Sequence, residues 1–312
     1  MNGPSGSIFD PAAPEARAIA DLFITTLWIC AVIFAAVAGL VGYSYARYGN
    51  RPGQIDPDQV AGNKRVEIVW TIIPFLIVLV LFALTMRAMR AADPPAPPPR
   101  EADLVIIGHQ WWWEVHHPRL GYVAANEIHI PVGQPISVRL ETADVLHEFW
   151  VPQLTRKMTT VPGQANHVWM QAERPGIYQG VCSEFCGTQH AWMRFEVVAE
   201  PPEQFEAWLR QQQRPAGTTS GAAARGRELF RTMTCINCHV VQGHGGTSNA
   251  GPDLTHLASR RYLGAGIVPN TPENLRRWLR DPQEVKPGAS MPNFKLTEQE
   301  MDDLLAYLAT LR

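Results

Sequence analysis

Two apolar runs, at about 19–45 and 66–89, dominate the first third of the 312-residue chain. Each reaches the roughly 20 residues that a helix needs to cross a hydrocarbon core. The second carries no charge between Glu67 and Arg87. Backbone in lipid must satisfy its own hydrogen bonds, so helices are what such runs can form there. A transmembrane hairpin over 19–91 is expected, with spans at about 19–46 and 66–90, behind an N-terminal segment 1–18. The opening Met1-Asn2-Gly3-Pro4 lacks the basic region that starts a cleaved signal peptide. The first span is expected to act as an uncleaved signal anchor. Loop charge does not orient the hairpin. Arg47, Arg51, Lys64 and Arg65 lie between the spans, and Arg17, Arg87, Arg90 and Arg100 flank them. A net charge of −2 offers nucleic acid no electrostatic handle.

Beyond the hairpin the composition changes. Residues 92–99 form a proline-rich spacer, stiff and extended. Short β-rich runs follow at 104–107, 111–115, 127–130, 136–140, 167–170 and 193–198, separated by Pro/Gly turns. That rhythm predicts an all-β sandwich or barrel. As a strand, 111–115 would put Trp111 and Trp113 on one face and Trp112 on the other. Residues 203–212 read as helix, 214–221 as flexible linker, and 222–312 as mostly helical. No internal repeat is visible.

The five cysteines fall into two pairs and a single. Cys30 stands alone in the first apolar run, as a packing or lipid-facing residue. Cys182 and Cys186 share twelve residues with His190 and Met193. Two thiols, an imidazole and a thioether form the soft ligand set that suits copper. A CxxxC disulfide beside a surface histidine would leave the histidine and methionine spacing unexplained. Closing a dinuclear site needs a second histidine, and His147, expected in a loop just after a strand, is the candidate. The other pair lies in Cys235-Ile236-Asn237-Cys238-His239, the CxxCH of c-type haem attachment. Cys235 and Cys238 would form the thioethers and His239 the proximal ligand. Met291, ahead of Pro292 in a loop, suits the sixth position. Met233 is too near the motif, and Met301 falls in the helical pattern 298–311. Met/His ligation raises the haem potential. Because c-type haem is attached outside the cytoplasm, the C-terminal part is expected there. Two spans put the N-terminus on the same side. His109, His116, His117, His129, His167, His244 and His256 carry no assignment.

The 182–193 segment together with His147 resembles subunit II of cytochrome c oxidase with its CuA centre, over about residues 15–200. Gly108-His109-Gln110-Trp111 and Val66-Glu67-Ile68-Val69-Trp70-Thr71 match further blocks of that family. Residues 222–312, with Gly251-Pro252-Asp253-Leu254 and Met291-Pro292, resemble a class I cytochrome c. The resemblance implies a two-helix transmembrane hairpin, an all-β cupredoxin-like sandwich over 101–200 and an all-α cytochrome c domain over 222–312. A short helix and linker would cross 201–221 between them. Two bridging thiolates, Cys182 and Cys186, would hold the dinuclear copper. His147 and His190 would be terminal ligands, Met193 a weak thioether and the Glu184 carbonyl a weak oxygen donor. The Glu184 side chain would face a magnesium shared with the catalytic subunit. Trp111 matches the aromatic residue through which electrons enter. Glu67 matches a carboxylate at the mouth of a proton pathway, although an acid at a helix N-terminus also suits the dipole. The Pro252 carbonyl would accept from His239, and Arg260 and Trp278 match positions near the haem propionates.

The implied function is electron input. Electrons would pass from an extracytoplasmic cytochrome c or other donor, via the haem c and CuA, to subunit I, which reduces dioxygen to water with coupled proton translocation. Subunit III is a further expected partner. The implied place is a bacterial inner membrane, with the N-terminus and both domains outside. The spans hold no histidine, so the dioxygen site must lie in another subunit. Two alternatives stand beside this reading: the CuA subunit of a nitric oxide reductase, and a free-standing membrane-anchored electron carrier.

Overall fold

The computed structural model describes residues 6–49, 62–92, 101–246, 248 and 250–312. The opening tetrapeptide, Arg51, Arg100 and the proline-rich stretch 93–99 lie outside the described residues. Two compact units are present, one of residues 17–95 and one of residues 1–16 with 96–312.

The apolar runs form α1 (Pro14–Tyr48) and α2 (Lys64–Ala92). Both are longer than the runs themselves, because polar turns extend them. Glu15 sits in the first turn of α1, and Arg47 and Arg90 sit in the last turns of α1 and α2, where each charge complements the helix dipole. Pro74 inside α2 lacks an N–H and removes one rung, a defect that membrane helices tolerate. Both helices are apolar enough to span a bilayer. Ahead of α1, Ala12 and Ala13 are buried against the β core, and the Ala12 N–H donates to the Gln153 carbonyl at 2.9 Å.

Ten strands follow: β1 (Leu104–His109), β2 (Trp112–His117), β3 (Tyr122–Ala125), β4 (Glu127–Pro131), β5 (Ile136–Thr142), β6 (His147–Trp150), β7 (Met158–Thr160), β8 (Asn166–Met170), β9 (Gly176–Cys182) and β10 (Arg194–Glu200). They make two five-stranded sheets, ordered β3-β2-β1-β5-β8 and β4-β10-β9-β6-β7. Alternating inward residues such as Leu104, Ile106, Val138, Leu140, Phe149, Phe195 and Val197 fill the space between them. The tryptophan run 111–113 departs from expectation. Trp111 lies in the turn before β2 rather than in the strand, while Trp113 is fully buried. The side-chain oxygen of Asn126 accepts the Trp113 N–H at 2.8 Å, which fixes the strand's start.

α3 (Pro202–Gln212) lies against β4 and β10. Its Trp208 stacks on His129 at 3.8 Å between ring centroids. His129 is buried between Glu127 and Glu200, each 3.0 Å from one ring nitrogen. Burial alone would drive the proton off, but the two carboxylates override it and hold the imidazole above its ordinary 6.5. A raised folded-state pKa stabilises the fold below about 6.5 and ceases to do so as pH rises through the folded value. Thermal melts of the full chain from pH 6 to 9 should therefore show a loss at the alkaline end. His129→Gln should flatten that slope.

After an extended linker, α4 (Gly221–Thr232) crosses α7 (Glu298–Leu308), with α5 (Pro272–Arg280) and α6 (Pro282–Val285) between them in sequence. Gly221 thus opens a helix rather than closing the linker. Phe230 and Tyr307 meet at the crossing, 5.6 Å between centroids, within a core that includes Leu257, Leu263, Leu279, Met301, Leu304 and Leu308. Arg225 grips Asp303 with two hydrogen bonds, 2.9 Å from Nε and 2.6 Å from Nη2. Thr297 and Glu300 close a capping box on α7.

Candidate metal centre and haem-attachment site

Strand pairing builds the first site. Phe149 of β6 faces Cys182, the last residue of β9, so His147 at the head of β6 comes up beside that thiol. On the other side of β9, the Cys182 N–H donates to the Met193 carbonyl at 3.1 Å, just before β10. Between these strands the chain loops through residues 183–192, which bring back Cys186 and His190. His147 is therefore a strand residue and not, as expected, part of a loop. Gly108 of β1 runs beneath it. A Cβ there would lie 2.7 Å from the His147 ring, which accounts for the glycine in the Gly108-His109-Gln110-Trp111 block.

Six donors converge. Cys182 Sγ and Cys186 Sγ are 3.8 Å apart. His147 Nδ1 is 4.0 Å from the first sulfur and His190 Nδ1 is 3.7 Å from the second. Met193 Sδ is 3.8 Å from Cys186 Sγ, and the Glu184 carbonyl is 3.2 Å from Cys182 Sγ. Metal–sulfur and metal–nitrogen bonds of about 2.3 and 2.0 Å, the zinc values, place such atoms roughly 3.5–4 Å from one another around one ion. The arrangement could hold metal without rearrangement. Electrostatics agrees. The hydrogen bond shared with Cys186 is the largest influence holding the Cys182 thiol below its ordinary range, and His147 adds to it. The same sharing of one proton raises the Cys186 thiol.

Apart from Trp111, the roles of the surrounding residues were not legible in the sequence. His147 Nε2 lies 2.8 Å from Asp144 Oδ1, leaving Nδ1 directed at sulfur. The other Asp144 oxygen accepts the Gln110 N–H at 2.7 Å. Trp113 packs edge-on beneath His147, 5.9 Å between centroids. Trp111 donates its indole N–H to the Cys186 carbonyl at 3.0 Å, and Gln110 Nε2 donates to the same oxygen at 2.7 Å. His109 and His116 both bond Glu114, at 2.8 and 2.7 Å. Their Glu114 carboxyl is held near 2, against the opposing pull of burial. Glu67 lies in the first turn of α2, its N–H donating to the Asn63 carbonyl at 3.0 Å.

The second site follows α4. Cys235, half-buried, and Cys238, exposed, flank a single helical turn that delivers His239. His239 Nδ1 donates to the Pro252 carbonyl at 2.7 Å, which orients the ring and leaves Nε2 free to bind. Burial lowers the His239 pKa, so the ring is neutral and able to ligate. Met291 Sδ accepts the Trp278 indole N–H at 3.2 Å, so Trp278 touches the methionine directly. Arg260 donates to the Asp253 carbonyl, one residue beyond Pro252.

Three family models match the chain. They are the transmembrane domain of cytochrome c oxidase subunit II over residues 4–87, its periplasmic domain over 119–200, and cytochrome c over 223–312. Cytochrome c oxidase subunit 2 of Alkalihalophilus pseudofirmus is 36% identical over 310 residues, covering 97% of this chain and 90% of that protein. The chain belongs to the cytochrome c oxidase subunit II family. The Bacillus subtilis subunit 2 is 30% identical, covering 99% of this chain and 92% of its own. The subunit 2 of Bacillus sp. is 33% identical over 82% of this chain and 77% of its own. A subunit II with an appended cytochrome c is a membrane-anchored part of an oxidoreductase that works in electron transport beside other oxidase subunits. Its subunit II domain implies CuA copper, and its cytochrome c domain implies haem.

Proposed function

We propose that this chain is the electron-input subunit of a haem-copper oxidase, with His147, Cys182, Glu184, Cys186, His190 and Met193 holding a dinuclear copper and Cys235, Cys238, His239 and Met291 holding one covalent haem c. When bound, the two cofactors supply one-electron redox chemistry, carrying electrons from an external cytochrome c or similar donor toward a catalytic subunit that reduces dioxygen with coupled proton translocation. The convergence of four further donors on two thiols only 3.8 Å apart carries this reading. A tetrahedral S₂N₂ set also suits zinc, but the thioether of Met193 favours copper.

The residues divide the work. Asp144 fixes the His147 tautomer. Trp113 and Gly108 fix the plane of that ring. Trp111, bonded to the Cys186 carbonyl, is the proposed electron-input residue. The Glu184 side chain, half-exposed beside the cluster, is proposed to face a magnesium shared with subunit I. Glu67 is proposed as a proton-pathway carboxylate. Pro252 orients His239, Trp278 holds Met291, and Arg260 is proposed near the haem propionates. The domains are proposed to lie outside the bacterial inner membrane, where c-type haem is attached. The Ala12–Gln153 hydrogen bond supports an N-terminus on that same side. Subunit I is the principal partner and subunit III a further one.

Oxygen against nitric oxide consumption by the purified complex tests the choice of oxidase over reductase. Asp144→Asn should weaken copper binding about 10–100-fold, the usual effect of losing a carboxylate behind a histidine ligand. Competitive titration with a copper chelator measures it. Unchanged affinity would leave Asp144 without this role.

A further inference from the structure

The haem-bearing and copper-bearing parts of the chain meet at a built seat. Gln189 lies between Cys186 and His190 in the copper loop and is only 3% exposed. Its amide donates to the Lys286 carbonyl at 3.2 Å and the Pro287 carbonyl at 2.8 Å, in the loop that leads to Met291. Lys286 is only 4% exposed, and its ammonium donates to the Trp111 carbonyl at 3.0 Å. Lysines are almost never this buried unless they are paired. Burial pushes this one down to about 7. Trp111 thus bonds the haem-side loop through its carbonyl and the Cys186 carbonyl through its indole. Elsewhere on the seat, Ala265 is buried with Trp112 and Ala125. Its carbonyl accepts the Arg194 N–H at 3.2 Å. Arg261 Nε reaches Glu196 at 3.0 Å, and its backbone N–H reaches Glu127 at 3.0 Å.

We propose that Lys286 and Gln189 are positioning residues that hold the cytochrome c domain on the copper loop, set the rate of haem-to-copper transfer, and close Trp111 to an external donor, which then reduces copper only through the haem. This rests on the cofactor assignment above. Each event moves one electron: ferrous haem becomes ferric as the oxidised copper pair gains that electron, and no bond forms or breaks. The linker is then a tether for a seated domain, not a leash for a searching one.

The test uses the intact complex. Lys286→Met keeps the stem and removes the charge, and Gln189→Ala removes the second contact. Mixing with a reduced soluble cytochrome c should show haem reduced before copper in the unaltered protein. In Lys286→Met, haem-to-copper transfer should slow about tenfold, the fall in docked population expected from losing a charged hydrogen bond, and in Gln189→Ala it should slow by less, because neutral amide bonds are weaker. Hydrogen–deuterium exchange of peptides around Trp111 and Gln189 should rise by a similar factor, while the copper and haem spectra stay unchanged. Ala265→Glu, which wedges the seat without touching the copper loop, should do the same. Unchanged transfer and exchange in all three variants would overturn the proposal, as would copper reduced ahead of haem in the unaltered protein. Absence of a copper or haem signal from the unaltered chain would instead overturn the cofactor assignment.

Discussion

Cys186→Ser should abolish the mixed-valence copper spectrum expected of the proposed centre and leave the haem c spectrum intact. Cys186 Sγ is the common neighbour of Cys182, His190 and Met193, at 3.8, 3.7 and 3.8 Å. In the proposed centre its loss would remove the bridge that lets two ions share one electron. Serine is smaller and harder, and soft copper does not bind a hydroxyl in place of a thiolate. Cys182→Ser should act alike, because that sulfur neighbours His147, the Glu184 carbonyl and Cys186. The haem attachment should be spared, since Cys235 packs against a separate core. Electron paramagnetic resonance and visible spectra on the same sample make the measurement. Survival of both signals would contradict the ligand assignment.

Gly226→Ala should cost the cytochrome c domain about 3 kcal/mol, at the upper end for overpacking. Here α4 crosses α7 with almost no gap. A Cβ at Gly226 would lie 1.9 Å from the Asp303 carbonyl oxygen and 2.8 Å from Tyr307 Cβ. These are backbone and Cβ atoms, so no rotamer change relieves the clash and the helices must separate. Separation also strains the Arg225–Asp303 pair and the Phe230–Tyr307 contact. For a domain of this size the haem-domain melting temperature should fall by roughly 10–20 °C. Differential scanning calorimetry of the full chain reads it, with the β-sandwich transition as internal control. An unshifted haem-domain transition would mean the crossing has slack that the contacts do not show.

What was legible in the chain follows from how local each signal is. CxxCH and the 182–193 loop are linear motifs, so their ligands could be read directly. The spans were legible because lipid imposes one length and one polarity. His147 could be named from the need for a second histidine, but its place could not. It starts β6, a strand of four residues that pairs with the next strand, β7, and with β9 further along the chain. β9 itself, Gly-Ile-Tyr-Gln-Gly-Val-Cys, carries two glycines and little alternation, so it gave no strand pattern. Three successive tryptophans have no period, and the start of β2 is set by Asn126, thirteen residues from Trp113. Asp144 was adjacent to a named residue yet unassigned, because a carboxylate on a loop has many ordinary uses. Lys286 and Gln189 had no signal at all. Their meaning lies in contacts 175 and 97–98 residues away in sequence. The buried His129 between two acids was read as unremarkable for the same reason.

The most direct measurement is metal content joined to spectroscopy on the full-length chain, purified in detergent and reconstituted with copper. Two coppers and one haem iron per chain, with an unpaired electron shared equally between the coppers, is the predicted result. A single zinc or a single localised copper bound by the same residues would contradict it.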